Sequence, residues 1–139
     1  MRSETRDHPA PYAPRTSEAT RPFWDGLREE RFQTTRCDDC GDITFPPKAL
    51  CPNCLSERLS WWPLSGRGKL YSYTRVWAAP AVFGEEVPYT LCIVDLVEGL
   101  RVASRLLGDH ASPEVGAPVS LVFLHYEDVT LFCFEPGDG

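Results

Sequence analysis

The sequence predicts a mainly β chain: a short N-terminal α-helix, a four-cysteine metal ribbon, then a small closed barrel of five strands. Three observations carry that reading. Four of the six cysteines stand in two C-x-x-C pairs between Cys37 and Cys54. Five runs of strand length, rich in Val, Leu, Tyr, Phe and Thr, follow from Lys69 onward. A single stretch ahead of the cysteines spaces its apolar residues as one side of a helix. With 139 residues, 42% of them apolar and 24% charged, the chain is the size of one domain or of two small modules sharing an interface.

Residues 1–19 mix acidic and basic side chains with proline and show no period, so they read as a flexible leader. They lack the apolar core of a secretory signal, and the expected location is the cytoplasm. Thr20 is placed to cap a helix whose first turn tolerates Pro22. Phe23, Trp24, Leu27 and Phe32 gather apolar mass on one side of it, either to cover the core or to dock on a partner.

Helix and ribbon together take residues 20–64, and the barrel residues 65–136. The barrel strands are expected at 69–77, 89–96, 100–107, 119–124 and 129–134. Glu98-Gly99 and Glu127-Asp128 are short enough for hairpins, while 108–118 is a longer connection. Five strands that must close their edges within this length fit the Greek-key barrel called the OB-fold better than a sandwich. Asp95, Glu98 and Arg101 interrupt the most hydrophobic region, so no membrane span is expected.

Cys37-Asp-Asp-Cys40-Gly41 and Cys51-Pro-Asn-Cys54 form a C-x2-C-x10-C-x2-C array. Two residues between thiolates let a tight turn aim both sulfurs at one ion while its backbone N–H groups donate to them. All four coordination positions would then be sulfur, which leaves no place for a reactive water and makes the zinc structural. Iron of the rubredoxin kind, a thioredoxin-like redox pair and free thiols are the competing readings; none accounts for both pairs as well.

Charge bears on what the barrel binds. The chain carries 14 basic and 20 acidic side chains, a formal −6, and from Arg67 onward there are five basic residues against ten acidic ones. Tyr71, Tyr73 and Trp77 alternate in the first barrel strand and could stack the bases of a single strand, which is the second functional reading. Counterion release cannot drive phosphate binding on so acidic a barrel, so no nucleic acid is expected. His8, His110 and His125 have no Ser, Cys or Asp in a triad context, and no catalytic residue is assigned. Cys92 and Cys133 sit between apolar neighbours and are expected as buried, inert thiols.

A longer pattern runs through these elements. Pro22-Phe23-Trp24-Asp25-Gly26-Leu27, Cys37-x-x-Cys40-Gly41, Phe45-Pro46-Pro47, Cys51-Pro52-x-Cys54 and Ser65-Gly66-Arg67-Gly68-Lys69-Leu70-Tyr71 occur in that order. Pro88-Tyr89-Thr90, Leu106-Leu107-Gly108, Val115-Gly116-x-Pro118-Val119 and Phe134-x-Pro136 follow. The combination resembles the DUF35 family, small proteins with a rubredoxin-like zinc ribbon and an OB-fold. The resemblance covers residues 20–136.

It implies a non-catalytic accessory subunit that works with a thiolase-fold enzyme acting on acyl-CoA thioesters. That enzyme would be a steroid side-chain aldolase, an acyltransferase or of the hydroxymethylglutaryl-CoA synthase type. Cys37, Cys40, Cys51 and Cys54 are the positions it carries over as metal ligands. Read beside it, Phe23, Trp24, Phe45, Trp61, Tyr73 and Trp77 are candidates for a partner interface. Arg67, Lys69, Arg75, Arg101 and Arg105 are candidates for the phosphates of CoA.

Overall fold

The structure, a computed structural model, describes residues 1–10, 17, 18, 20–76, 89–108 and 113–137. Among them stand nine strands and one helix. They are β1 (Arg2–Thr5), α1 (Arg21–Arg28), β2 (Gln33–Cys37), β3 (Ile43–Thr44), β4 (Leu59–Pro63), β5 (Arg67–Val76), β6 (Tyr89–Leu96), β7 (Arg101–Leu106), β8 (Pro118–His125) and β9 (Thr130–Pro136). β3, β2 and β4 form the small antiparallel sheet of the ribbon. β5, β6, β7, β9 and β8 close in a ring, because β8 pairs with both β5 and β9, and this is the OB-fold barrel the strand pattern predicts.

Period-two alternation explains the middle of the barrel. Along β6, Thr90, Cys92, Val94 and Leu96 are buried, while Leu91, Ile93 and Asp95 point outward. β8 is different, since residues 119–124 are all buried. Val119, Leu121 and Phe123 enter the barrel core, and Val122 and Leu124 join Tyr126 and Cys133 in a second cluster on the other side.

That second cluster corrects the reading of the leader. Arg2–Thr5 is not without structure: it is a strand lying parallel to β8, with Arg2 opposite Val122 and Thr5 opposite His125. Ala10 packs on the outer cluster and the His8 ring meets Tyr126 edge to face at 5.5 Å. β5 pairs with β8 only at Ser120, Val119 and Pro118, so β1 takes up the rest of that edge. Arg2 clasps it, donating to Glu135 of β9 at 2.6 Å and also pairing with Glu4.

The helix is shorter than its apolar spacing implies. Thr20 has helical dihedrals and its hydroxyl makes no cap; the hydroxyl accepts instead from the Ser17 backbone N–H at 3.0 Å. At the other end the Glu30 N–H donates to the Leu27 carbonyl at 3.0 Å and the Arg31 N–H to the Gly26 carbonyl at 2.7 Å. This paired closure puts Glu30 at φ 61°, a place glycine usually takes, and turns the chain so that Phe32 reaches the core from beyond the helix.

Candidate metal centre and the surfaces beside it

β2 ends in Cys37, and the chain then turns twice. In the first knuckle the Gly41 N–H donates to the Cys37 carbonyl at 3.0 Å, and the Cys37 N–H to the Asp42 carbonyl at 2.9 Å. The second knuckle repeats both bonds: Leu55 to Cys51 at 2.8 Å and Cys51 to Ser56 at 2.9 Å. The two turns face each other and bring all four sulfurs within 4.8 Å of one another. Cys37 Sγ lies 3.6 Å from Cys54 Sγ, and Cys40 Sγ lies 3.5 Å from Cys51 Sγ. A tetrahedral ion with bonds of about 2.3 Å would hold its sulfurs about 3.8 Å apart, so the cluster is already at coordination spacing.

Electrostatics agree with a cation at that centre. The Cys40 backbone N–H, 3.4 Å from Cys37 Sγ, lowers the Cys37 thiol, and the Asn53 side-chain amide heads the causes that bring Cys40 down to about 6. At Cys54 the Ser56 backbone N–H also pulls downward, but the Cys37 sulfur, burial and the other two sulfurs outweigh it and push the thiol up to about 12. Four sulfurs this close cannot all ionise without a positive charge among them. Cys37 and Cys51 are 1% exposed, while Cys40 and Cys54 lie at the surface, so one side of the centre is sealed by protein.

Polar groups lock the knuckles to each other. Asp39 of the first accepts from Ser56 Oγ and from Arg58 Nε, the latter at 3.2 Å, and Ser60 Oγ donates to Asp38 at 2.7 Å. Asn53 Nδ2 reaches back to Cys40 Sγ at 3.5 Å. No local pattern announces these partners, because Asp39 and Arg58 are 19 residues apart.

The ring-bearing candidates divide. Phe23, expected at a partner face, is only 2% exposed. It meets Trp24 at 5.0 Å, Phe45 at 5.5 Å and Phe132 at 6.0 Å, all nearly edge to face. These rings join helix, ribbon and barrel into one core. Trp24, Phe45 and Trp61 are half-buried against that core. Trp77 lies outside the described residues, as does His110.

Tyr71 and Tyr73 do not share a face. The β5–β6 register shifts between Leu70 and Ser72, and beyond the shift Tyr73 stands opposite the buried Cys92. Tyr71, the extra residue, instead lies under the Arg101 guanidinium, whose carbon is 3.7 Å from the ring centre. The alternation that suggested a base-stacking strip is broken there.

The cations separate in the same way. Lys69 and Arg101 flank Asp95 in one cross-strand row, and Arg101 Nε donates to Asp95 at 2.7 Å. Arg105 lies further along β7 on the same side, its guanidinium 4.9 Å from the Tyr89 ring centre. Arg75 stands opposite the buried Thr90, on the other side, and Arg67 is exposed at the start of β5. Cys92 and Cys133 are 2% and 0% exposed, and burial pushes both thiols up to about 12. Among the described residues no helix is long and apolar enough to cross a membrane.

Comparison with known proteins places this architecture. Residues 24–60 match the ChsH2 rubredoxin-like zinc ribbon domain, and residues 61–124 match the ChsH2 C-terminal OB-fold domain. The 3-oxo-4,17-pregnadiene-20-carboxyl-CoA hydratase alpha subunit of Mycobacterium tuberculosis is 32% identical over 133 residues, 95% of this chain and 42% of that protein. The benzoylsuccinyl-CoA thiolase subunit BbsA of Thauera aromatica is 41% identical over 73 residues, 52% of this chain and 49% of that one. The chain thus spans less than half the length of both relatives. A solved structure titled Ltp2-ChsH2(DUF35) aldolase superposes with a TM-score of 0.81 at 29% identity, covering 89% of this chain and 98% of that one. With both modules matched in order and the same fold recovered, the chain belongs to the ChsH2/DUF35 family of zinc-ribbon and OB-fold proteins.

Proposed function

We propose that this chain is a non-catalytic accessory subunit: Cys37, Cys40, Cys51 and Cys54 hold one structural zinc, and the protein associates with a thiolase-fold enzyme acting on acyl-CoA thioesters. The observation that carries the reading is the sulfur cluster, whose four ligands leave an ion no open position for chemistry. The names of the relatives, a hydratase alpha subunit, a thiolase subunit and an aldolase complex, all belong to multi-subunit enzymes or to CoA thioester chemistry. A steroid side-chain aldolase is the favoured companion, ahead of acyltransferase or hydroxymethylglutaryl-CoA synthase types. The companion supplies the reacting groups, and this chain buttresses it. Arg67, Lys69, Arg75, Arg101 and Arg105 are the candidate cations for CoA phosphates, and of these Lys69, Arg101 and Arg105 lie on one side of the sheet.

The test is isolation of the native complex, identification of the companion polypeptide by mass spectrometry, and turnover assays of the companion with and without this chain. A thiolase-like subunit whose turnover falls at least about tenfold alone supports the reading. A companion that folds and turns over at full rate alone ends it, as does CoA thioester turnover by this chain in isolation.

A further inference from the structure

β7 and β9 are neighbours in the barrel, yet they meet at a single parallel bridge, Leu106 opposite Phe134. Two residues back along both strands a side chain takes over from the ladder, and Ser104 Oγ donates to the Phe132 carbonyl at 2.8 Å. Among the described residues, every other neighbouring pair of the ring is registered over three positions or more. The barrel is therefore closed most sparsely between β7 and β9.

A cavity of about 720 Å³ lies along this seam, bordered by Ser104 and Arg105 of β7 and by Leu131 and Phe132 of β9. With the ladder interrupted, both sides of the sheet contribute to its wall. Cys92 and Phe132 come from the main core, while Leu124, Leu131 and Tyr126 come from the outer cluster. Leu91 and Tyr73, also in the wall, are 43% and 38% exposed, so the space opens to solvent. Its volume falls within the roughly 300 to 1,000 Å³ of small-molecule sites.

The wall selects a class of ligand. Trp24, Tyr73, Tyr89, Tyr126 and Phe132 supply five rings to it. No Asp or Glu stands there among the described residues, although the chain has 20 of them. The charged residue in the wall is Arg105, whose guanidinium carbon is 4.9 Å from the Tyr89 ring centre. Aromatic side chains stack on a flat apolar ring with a gain beyond the area they cover. A flexible alkyl chain gains less and loses more conformational freedom on binding.

We infer that this cavity is a binding site for an apolar ring system, carried either by a free small molecule or by an acyl group, and seated where β7 and β9 part. The site lies within this chain and goes beyond the accessory-subunit reading, since it is formed with or without a companion. Ring stacking and apolar contact hold the ligand, and no cation is called on.

The probe is the uncharged fluorophore N-phenylnaphthylamine, titrated into the zinc-loaded full chain, with saturable binding of one molecule per chain expected. Ala103→Trp and Ser104→Phe each fill part of the space and are expected to weaken binding at least about tenfold, and Tyr73→Ala about 3- to 10-fold. Tyr71→Ala and Trp62→Ala remove exposed rings outside the cavity and are expected to stay within about twofold. Zinc content and thermal midpoint check the fold of each variant, and Ala103→Trp, at an exposed position, serves if Ser104→Phe does not fold. Naphthol is expected to displace the probe at a concentration at least about fivefold below that of decanol, which has the same carbon count. Naphthoyl-CoA set against methyl naphthoate separates the two sources. The thioester displacing at the lower concentration makes the ring an acyl group, the ester displacing as well or better makes it a free molecule, and either result supports the site. No saturable binding, or unchanged affinity in both filled variants, overturns the site, and decanol displacing as well as naphthol overturns the ring class. If the probe yields to the isolated enzyme subunit and to none of the ring-bearing competitors, the cavity is a protein contact; the ligand site then falls while the accessory-subunit reading stands.

Discussion

Gly41 and Leu55 occupy the same place in the two knuckles, one residue past the second cysteine, and both have positive φ, 79° and 63°. Each donates its N–H to the carbonyl of the first cysteine in its pair. The ribbon is therefore nearly two-fold symmetric in its backbone, with glycine satisfying the left-handed position on one side and a leucine straining to meet it on the other.

Leu55 is 73% exposed and contributes little packing, so Leu55→Gly relieves strain at small loss. The expected outcome is a gain of about 0.5 to 1 kcal/mol, net of the added chain entropy of glycine. Gly41→Ala should cost about 1 to 2 kcal/mol. Thermal midpoints of the zinc-loaded variants, measured side by side, check both signs.

Removing the ion should melt the ribbon before the barrel. The segment from β2 to β4 has a small sheet and four clustered sulfurs, while Phe32 and Leu64 at its ends are anchored in the main core. Chelation, or Cys37→Ser, is expected to abolish amide protection in residues 33–63 and lower the midpoint of the remainder, with protection in β6 and β8 retained. Hydrogen exchange followed by mass spectrometry reads this directly.

Gly68 allows β5 and β6 to approach. A Cβ there would stand 2.4 Å from the Asp95 carbonyl oxygen and 2.8 Å from Val94 Cγ1, and neither backbone nor buried neighbour can yield cheaply. Gly68→Ala should destabilise by about 2 to 3 kcal/mol in urea unfolding. A loss below about 0.5 kcal/mol would mean the strands part without cost.

Acid should peel β1 from the barrel. Arg6 and then Arg2 hold the Glu4 carboxyl below its usual range, and Arg101 does the same for Asp95. A carboxylate depressed in the folded state contributes stability above its unfolded pKa of about 4, and that contribution disappears as pH falls through the lower folded value. Stability is therefore expected to be flat from neutral pH to about 5 and to decline below about 4. Exchange in residues 2–5 should rise at acid pH ahead of the rest, and Glu4→Gln should remove that difference.

Cys92 and Cys133 should resist alkylation in the folded, metal-loaded protein, since both thiols are buried and pushed up to about 12. Mass spectrometry after iodoacetamide treatment is expected to find both unmodified. Rapid labelling of Cys133 at neutral pH would show that the outer cluster opens.

Much of this was legible in one dimension. The cysteine spacing picked out the four sulfurs that the fold brings within 4.8 Å of one another, and the five apolar runs found the five barrel strands within a few residues of their observed ends. β1 was missed because Arg2–Thr5 has no apolar pattern of its own; the clue lay instead in residues 119–124, an unbroken apolar run that required cover on both sides. Phe23 was assigned to a partner because a ring facing the core of its own chain and a ring facing another chain follow the same helical period.

Composition and spacing by themselves determined the kinds of parts: a four-cysteine ribbon, a closed barrel, and two buried thiols. Those follow from local chemistry, since tight turns aim neighbouring sulfurs and alternation decides which strand residues are buried. Tertiary structure alone decided which rings seal the core, that a bulge sends Tyr71 and Tyr73 to opposite sides, and that Lys69, Arg101 and Arg105 share one outward face. The reason is physical: strand register and cross-element packing join residues far apart in the chain, and no periodicity within a single strand encodes which neighbour it will meet.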